Sequence, residues 1–173
     1  MTLSKRSITL AATVLLAFGV GGLGGCGGYK PKKFDISIQP RTTDTVLVDL
    51  IAVPKDDVET KWMGLDVENY FSGNNTVRAS NVEFTKTYKF EGGATQQVQI
   101  NRNDPIWSKW FKTRPVLIVL ATSGSLAREA AKNPSVRKAR IDMTTEYYDA
   151  DAFTITVKDG GIQVDPPPMK KPS

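Results

Sequence analysis

One side chain in this 173-residue chain carries a thiol, and it stands at position 26. The sequence contains no histidine, which excludes His-based triads, His general-base catalysis and ordinary His ligation of zinc or haem. Carboxylate pairs of the glycosidase type are the catalytic groups that remain. Because Cys26 has no imidazole to activate it, its chemistry must be sought in the residues around it.

The residues before Cys26 have the three-part organisation of a secretory signal peptide. Lys5 and Arg6 form a basic start, residues 8–20 (ITLAATVLLAFGV) are apolar or small, and a glycine-rich stretch follows. The apolar run of about 13 residues is shorter than the roughly 20 that a membrane-spanning helix needs. We therefore predict that residues 1–25 are a cleaved leader.

The four residues that end this leader, Leu23-Gly24-Gly25-Cys26, resemble the bacterial lipobox. The resemblance implies that Leu23, Gly24 and Gly25 are recognised by the signal peptidase. It also implies that Cys26 becomes the first residue and carries diacylglycerol and a fatty acid such as palmitate. The acylated Cys26 would bind membrane lipid, and the mature chain would have no thiol left for catalysis or a disulfide. Gly27 resembles the address of outer-membrane lipoproteins, which implies an anchor there, facing the periplasm.

The net charge of +5 is not a property of the folded part. Seven of the 23 basic residues lie in the leader, in the flexible tether over residues 26–33 or in the Pro-rich tail over residues 165–173, which we expect to be disordered. All 18 acidic residues lie in residues 34–165. Residues 34–165 therefore have a net charge of −2, and we expect no nucleic-acid partner. The tether lysines either lie near anionic headgroups or belong to a soluble spacer.

Between tether and tail, apolar residues recur mostly with the two-residue period of β-strands. Residues 46–53 (VLVDLIAV) and 115–122 are apolar on both faces, apart from Asp49, and so predict strands that are buried on both sides. About seven or eight short strands, with turns at residues 91–93 and 160–161, predict a mainly β fold over residues 34–164. We expect an immunoglobulin-like or transthyretin-like β-sandwich.

Two or three short helices interrupt this pattern. Residues 56–63 begin with acids, residues 103–112 have Asp104 and Pro105 at the expected start, and residues 126–133 end at Pro134. The helices bring Trp62, Trp107 and Trp110. These rings either plug the ends of the sandwich or form an exposed platform for a glycan or peptide.

Three polar segments have a functional and a plain interpretation. Residues 146–151 (EYYDAD) contain ligands for calcium, but without the spacing of a known calcium loop, so we favour a solvated turn and predict no metal site. The basic residues of 128–140 either meet an acidic partner or a phosphate-bearing glycan, or they form a solvated loop, which we favour. Asn74-Asn75-Thr76 is typical of a flexible turn.

The order of elements over residues 34–123 resembles that of the outer-membrane lipoproteins of type VI secretion systems. The matching features are the strand over residues 46–54, the aromatic-rich insert ending at Asn69-Tyr70-Phe71, the strand pair joined at residues 90–93 and the strand over residues 116–121. The resemblance implies a transthyretin-like sandwich that binds the periplasmic domain of an inner-membrane protein. The corresponding loop between the first strands would be short here, residues 39–45.

From these features we predict a lipid-anchored envelope protein that acts as a protein-binding adaptor or scaffold, as in a type VI-like secretion apparatus. The alternative is a lipid-anchored module that binds a glycan, peptidoglycan or a peptide through exposed Trp62, Trp107 or Trp110. We predict no enzymatic activity and no cofactor.

Overall fold

The computed structural model describes residues 32–93, 96–111 and 114–169. The predicted leader, Cys26, most of the tether and residues 170–173 lie outside the described residues, so the predictions about the lipobox remain predictions. The described strands, in chain order, are β1 Asp35–Arg41, β2 Val46–Val53, β3 Thr85–Phe90, β4 Val98–Ile100, β5 Val116–Thr122, β6 Lys138–Asp142, β7 Ala152–Lys158 and β8 Gly161–Asp165.

The first sheet has the strand order β4-β1-β7-β8. β1 pairs antiparallel with β4 and parallel with β7, with Ile36 opposite Phe153 and Ile38 opposite Ile155. β8 completes the sheet as an antiparallel hairpin with β7. One face of this sheet is apolar and buried, and the other carries hydroxyl and amide side chains, as the two-residue period predicts.

The second sheet has the strand order β3-β2-β5-β6, with all neighbours antiparallel. Its two central strands, β2 and β5, are buried on both faces. Residues 46, 48, 50 and 52 of β2 face the first sheet, whereas Ile51 and Val53 belong to a separate apolar cluster on the opposite face. The prediction of eight short strands in a β-sandwich, with two strands buried on both sides, is confirmed.

Residues 54–84 form a helical insert that covers the outer face of the second sheet. It contains a π-helical turn at Val58–Trp62, helix α1 Val67–Phe71, helix α2 Thr76–Ser80 and a 3-10 turn at Val82–Phe84. Val58, Trp62 and Tyr70 pack with Ile51, Ile118 and other residues of β2 and β5 in the second cluster. The molecule therefore has three layers, and this third layer explains why β2 and β5 lack a polar face.

Two more helices lie outside this insert: α3 Ile106–Trp110 and α4 Gly124–Ala130. They correspond to the predicted helices at residues 103–112 and 126–133. Ser123 caps α4 by accepting a hydrogen bond from the Leu126 amide (3.2 Å). Before α3, the Asp104 side chain accepts a hydrogen bond from the Ile106 amide (2.9 Å). No helix in the described part of the chain is long and apolar enough to cross a membrane.

One prediction about an irregular segment is corrected by the structure. Asn75 is not in a flexible turn, because its side chain accepts a hydrogen bond from the Arg78 amide (2.9 Å) and caps α2. Within the predicted tail, the Met169 N–H donates to the carbonyl of Tyr147 (2.8 Å). Both apolar clusters are built from described residues between Phe34 and Val157, so the domain carries its own core without the leader.

Candidate functional site

The sandwich has two ends that differ in their relation to the chain termini. The tether end is formed by residues 32–34, 101–111, 143–151 and 166–169. We give it this name because the tether enters the domain there, where the Lys32 N–H donates to the carbonyl of Met143 (3.1 Å). The distal end is formed by residues 42–45, 91–93, 123–125 and 159–160. β1 runs from one end to the other, and its seven residues correspond to about 20 Å.

At the distal end, side-chain hydrogen bonds join three loops that lie far apart in the sequence. The Thr42 hydroxyl, in the β1–β2 loop, makes a short hydrogen bond to Asp159 between β7 and β8. Asp44 accepts a hydrogen bond from the Ser125 amide at the start of α4, and the Ser123 and Ser125 hydroxyls are 3.1 Å apart. The β1–β2 loop is therefore short and fixed at both of its sides.

A fourth loop approaches this network through its backbone. Gly92, between β3 and β4, lies so close to the β1–β2 loop that a Cβ atom added to it would be 2.2 Å from the carbonyl oxygen of Thr43. Only glycine allows this approach. The next residue, Gly93, has a φ of 72°, which side chains rarely tolerate. The predicted glycine turn at residues 91–93 thus fits against the loop that corresponds to the implied partner-binding segment.

The distal end presents a polar surface. A groove of about 560 Å³ opens beside the end of β1 and is lined mainly by amides and hydroxyls, together with the charged side chains of Arg41 and Asp159. The hydrogen bonds from Thr42 and then Ser125 hold the pKa of Asp159 below its usual range, so this carboxylate is charged at neutral pH. Such a surface suits a polar segment of another protein, because hydrogen-bond donors and acceptors are already held in place.

The tryptophans do not form a platform. Trp62, Trp107 and Trp110 are at most 1% exposed, which contradicts the alternative of exposed indoles as binding residues. Trp107 and Trp110 lie in α3 and close the tether end of the main core. Their indole N–H groups donate to the carbonyls of Asn101 and Phe84, both at 2.9 Å, so the rings are held as plugs. Trp62 packs edge-on against Tyr70 under the helical insert.

The basic stretch over residues 128–140 is only partly solvated, which corrects the interpretation as an open loop. Arg137 and Arg140 are largely buried and pair with Glu68 (2.9 Å) and Glu59 (3.0 Å) of the insert. Lys138 donates to the carbonyl of Met63 (2.7 Å), and burial lowers its pKa. These three residues therefore hold the insert against the edge of the second sheet. Arg128 and Lys132, in the same basic stretch, are exposed.

The acidic segment over residues 146–151 forms a packed turn at the tether end. Tyr147 and Tyr148 are buried, and Asp151 pairs with Lys32 at 3.0 Å. The described residues contain no group of three or more potential ligands that would hold a metal ion. The turn is thus less solvated than we predicted, because both tyrosines belong to the main core.

A buried charge lies outside both ends, under the helical insert. Asp49, in the middle of β2, is 0% exposed. It accepts hydrogen bonds from the Tyr70 hydroxyl (2.9 Å) and from Nε (2.9 Å) and Nη2 (3.3 Å) of Arg78. The site joins the insert to the sheet. Its one signal in the sequence is the lone carboxylate in an otherwise apolar strand.

No protein-family model matches this sequence, and no curated protein matches it. Among solved structures, a chain of a type VI membrane complex is 15% identical, with a TM-score of 0.53. It covers 79% of this chain and is itself covered completely. The membrane-bound type VI secretion component Lip from Serratia marcescens is 11% identical, with a TM-score of 0.51, and covers 82% of this chain, again over its whole length. The type VI secretion lipoprotein TssJ1 from Pseudomonas aeruginosa has a TM-score of 0.47 at 11% identity and covers 83% of this chain and 100% of its own length.

The two structures with a TM-score above 0.5 decide the fold. This chain shares the β-sandwich of type VI secretion components. The predicted resemblance to that class of lipoproteins is thereby confirmed at the level of the fold. Identities of 15% and 11% carry no residue-level correspondence, so the distal residues above are assigned from the geometry of this chain alone.

Proposed function

We propose that this chain is a lipid-anchored adaptor of the cell envelope, and a component of a type VI-like secretion apparatus. Cys26 anchors it in the outer membrane, and the distal end binds another envelope protein in the periplasm. The observation that carries the proposal is the shared fold with two solved components of such systems, which covers each of those chains completely. One belongs to a type VI membrane complex and the other is a membrane-bound component of the type VI secretion system, which supports a structural role rather than an enzymatic one.

The arrangement of the two ends supports this function. A lipid on Cys26 would be joined to Lys32 by six residues, so it would lie near the tether end. The distal loops are then the part of the domain farthest from the membrane, where a protein crossing the periplasm would reach them. Because hydrogen bonds fix these loops before binding, little conformational entropy is lost when a partner is bound.

Capture of the partner tests the adaptor function. The mature chain, immobilised, is incubated with an extract of the inner membrane from the source cells, and the bound proteins are identified by mass spectrometry. We expect a membrane component of the secretion apparatus to be retained by the wild type and lost with the distal variant Arg41→Glu/Thr43→Arg, since both residues are exposed. Lys61→Glu, an exposed position on the helical insert, is the matched control. Equal retention by the distal variant and the control would overturn the distal assignment.

The anchor is tested separately. In cells that produce Cys26→Ser, we expect the protein to be released from the membrane fraction and to lack the mass of the acyl chains. Gly28→Ser leaves the lipobox intact and should remain membrane-bound at the lipidated mass. A Cys26→Ser protein that stays in the membrane with unchanged mass would contradict lipidation, whatever the outcome of the capture experiment.

A further inference from the structure

Two like charges lie side by side where β1 and β7 reach the distal end. Arg41 and Lys158 are opposite each other in the parallel pairing of these strands, and both are exposed on the outer face of the first sheet. Like charges at directly opposed positions of neighbouring strands repel each other. An anion bound between these two side chains would relieve that repulsion.

The acids of the distal end are already used within the domain. Asp159 accepts a hydrogen bond from the β1–β2 loop, and Asp44 accepts one from the amide at the start of α4. The pKa of Asp159 is lowered by its hydrogen bonds and then by the charge of Arg128, which lies beside Asp44. The third acid of this end, Glu91, pairs with Lys89 at 2.8 Å. These carboxylates are therefore held by other groups than Arg41 and Lys158.

Arg41 and Lys158 keep donors for a ligand. Within the described ranges, the Arg41 guanidinium forms no hydrogen bond and no ion pair, and the Lys158 ammonium donates one hydrogen bond, to Gln163 (2.7 Å). A guanidinium has five N–H donors in one plane and binds a carboxylate through two parallel hydrogen bonds, and an ammonium has three donors. The pair therefore offers a carboxylate more donors than the domain itself uses.

A groove follows the outer face of the first sheet away from this pair. Its volume is about 400 Å³, and between the two cations and Asp165 it is lined by Gln39, Thr154, Thr156 and Gln163. These hydroxyls and amides both donate and accept hydrogen bonds, as the backbone of an extended peptide requires.

The far end of the groove has the opposite charge. Asp165 is paired with Thr154, four positions before Lys158 in β7, which corresponds to about 13 Å along the strand. Asp165 would repel a second negative charge at that distance. The groove therefore fits a peptide that is acidic at one end and polar along the rest, better than a uniform polyanion such as polyphosphate.

We propose that this groove binds an extended segment of the partner protein, with an Asp or Glu carboxylate of that segment held between Arg41 and Lys158. The backbone of the segment then runs over the Thr and Gln side chains toward Asp165. The inference rests on the proposed adaptor function, and it adds the chemistry by which the distal end recognises its partner.

A model peptide tests this chemistry without the partner. A fluorescein-labelled peptide of three glutamates followed by serines and glycines is titrated with the mature Cys26→Ser protein, and fluorescence anisotropy gives the affinity. We expect binding that weakens with added salt, and none for the same peptide with glutamine in place of glutamate. The loss of one exposed ion pair lowers affinity by up to about fivefold, so Arg41→Gln/Lys158→Gln should weaken binding roughly 5- to 25-fold.

The matched control removes the same charge elsewhere. Lys55→Gln/Lys109→Gln changes two exposed positions away from the groove and should leave peptide binding unchanged. Equal losses for the two double variants would mean that net charge alone drives binding, which would overturn the proposal. Absence of binding to the acidic peptide, equal binding of the glutamine peptide, or tighter binding of polyphosphate would also overturn it. A urea unfolding curve for each variant verifies that the domain is folded.

The capture experiment separates this inference from the adaptor function. If the wild type retains an envelope protein and Arg41→Gln/Lys158→Gln retains it equally well, the adaptor function stands and recognition of an acidic segment is wrong. Loss of that protein from the double variant, but not from Lys55→Gln/Lys109→Gln, supports both. If the wild type retains no envelope protein, the adaptor function is overturned, and recognition of a partner segment with it.

Discussion

Arg78 binds both carboxylate oxygens of Asp49 from a helix that lies 29 positions later in the chain. The carboxylate is completely buried, whereas the arginine side chain is 31% exposed and lies over the ring of Phe71 at 5.1 Å. Arg78 thus closes a polar site between β2 and the helical insert, and the Tyr70 hydroxyl completes it. Burial, and then the charge of Asp49, raises the pKa of the Tyr70 phenol, so Tyr70 stays protonated and donates.

Replacement of Arg78 should substantially lower the free energy of unfolding. Arg78→Leu leaves the Asp49 carboxylate buried with one neutral donor, and breaking a buried ion pair in this way destabilises proteins by about 3–5 kcal/mol. Tyr70→Phe removes a hydrogen bond to a charged group and should cost about 1.5–3 kcal/mol. Urea unfolding measures both. Arg78→Leu combined with Asp49→Leu should recover part of the loss, and a double variant no more stable than Arg78→Leu would argue against the pair.

The buried tryptophans make a spectroscopic prediction. Because all three indoles are shielded from water, we expect a blue-shifted fluorescence emission and weak quenching by acrylamide in the native state. Urea should shift the emission to that of solvated indole and restore quenching. Soluble peptidoglycan fragments should leave the native spectrum unchanged. A native emission typical of solvated indole, or an emission that changes in proportion to added fragments, would support the exposed aromatic platform.

The strands could be predicted from the sequence because their apolar pattern is local. The helical insert that forms the third layer could not be predicted in the same way. Alternation along β1, β3 and β7, and the continuous apolar runs of β2 and β5, are set by which faces are buried. Helix α2 is different, because its Asn-Asn-Thr start resembles a turn and its stability depends on Arg78 reaching Asp49. A pair of residues so far apart in sequence cannot be identified from one chain, although a carboxylate in a doubly buried strand does indicate that a cation lies opposite.

The same limit applies to the candidate site. Nothing in the sequence links Thr42 with Asp159, 117 positions apart, or Asp44 with Ser125. Each of these residues alone is typical of a loop, and only the folded sandwich brings them together at the distal end. The tryptophans were singled out because their type is common at binding surfaces, but the spacing of Trp107 and Trp110 on one helical face equally fits a core plug, which is where the structure has them.

Gly92 should tolerate no side chain. In Gly92→Ala, the added Cβ would lie 2.2 Å from a backbone oxygen of the β1–β2 loop, so one of the two loops has to move. We expect a loss of about 1–3 kcal/mol in the free energy of unfolding, as for other overpacked positions, and weaker capture of the partner at the distal end. Gly73→Ala is the control, because no atom lies within 4 Å of a Cβ there. Similar stability of the two variants would contradict the close approach.

Stability should be independent of pH near neutrality and should fall in the acid range. The chain has no histidine, so no ordinary side chain titrates between about pH 6 and 8 and the free energy of unfolding should be constant there. The folded pKa of Asp159 lies below its unfolded value of about 3.9, so its stabilising contribution is complete above that value and is lost as the pH falls through the folded pKa. Thr42→Val removes the hydrogen bond that lowers this pKa most. In this variant, carboxyl titration followed by NMR should give a pKa for Asp159 that is closer to 3.9; an unchanged value would show that the Thr42 contact has no effect.

Replacement of Arg140 should destabilise the domain far more than replacement of Arg128, which lies in the same basic stretch. Its guanidinium binds Asp142 through two bonds (2.9 and 3.1 Å) and Glu59 at 3.0 Å, and Asp142 is itself buried. Arg140→Met leaves that carboxylate without its cation and releases the insert from the edge of the second sheet. We expect a loss of about 3–5 kcal/mol by urea unfolding. Arg140→Lys should recover little of it, because an ammonium group cannot reproduce the bidentate geometry while also reaching Glu59. Arg128→Met, at an exposed position, should change stability by less than about 0.5 kcal/mol. Comparable losses at the two positions would mean that the basic stretch is solvated after all.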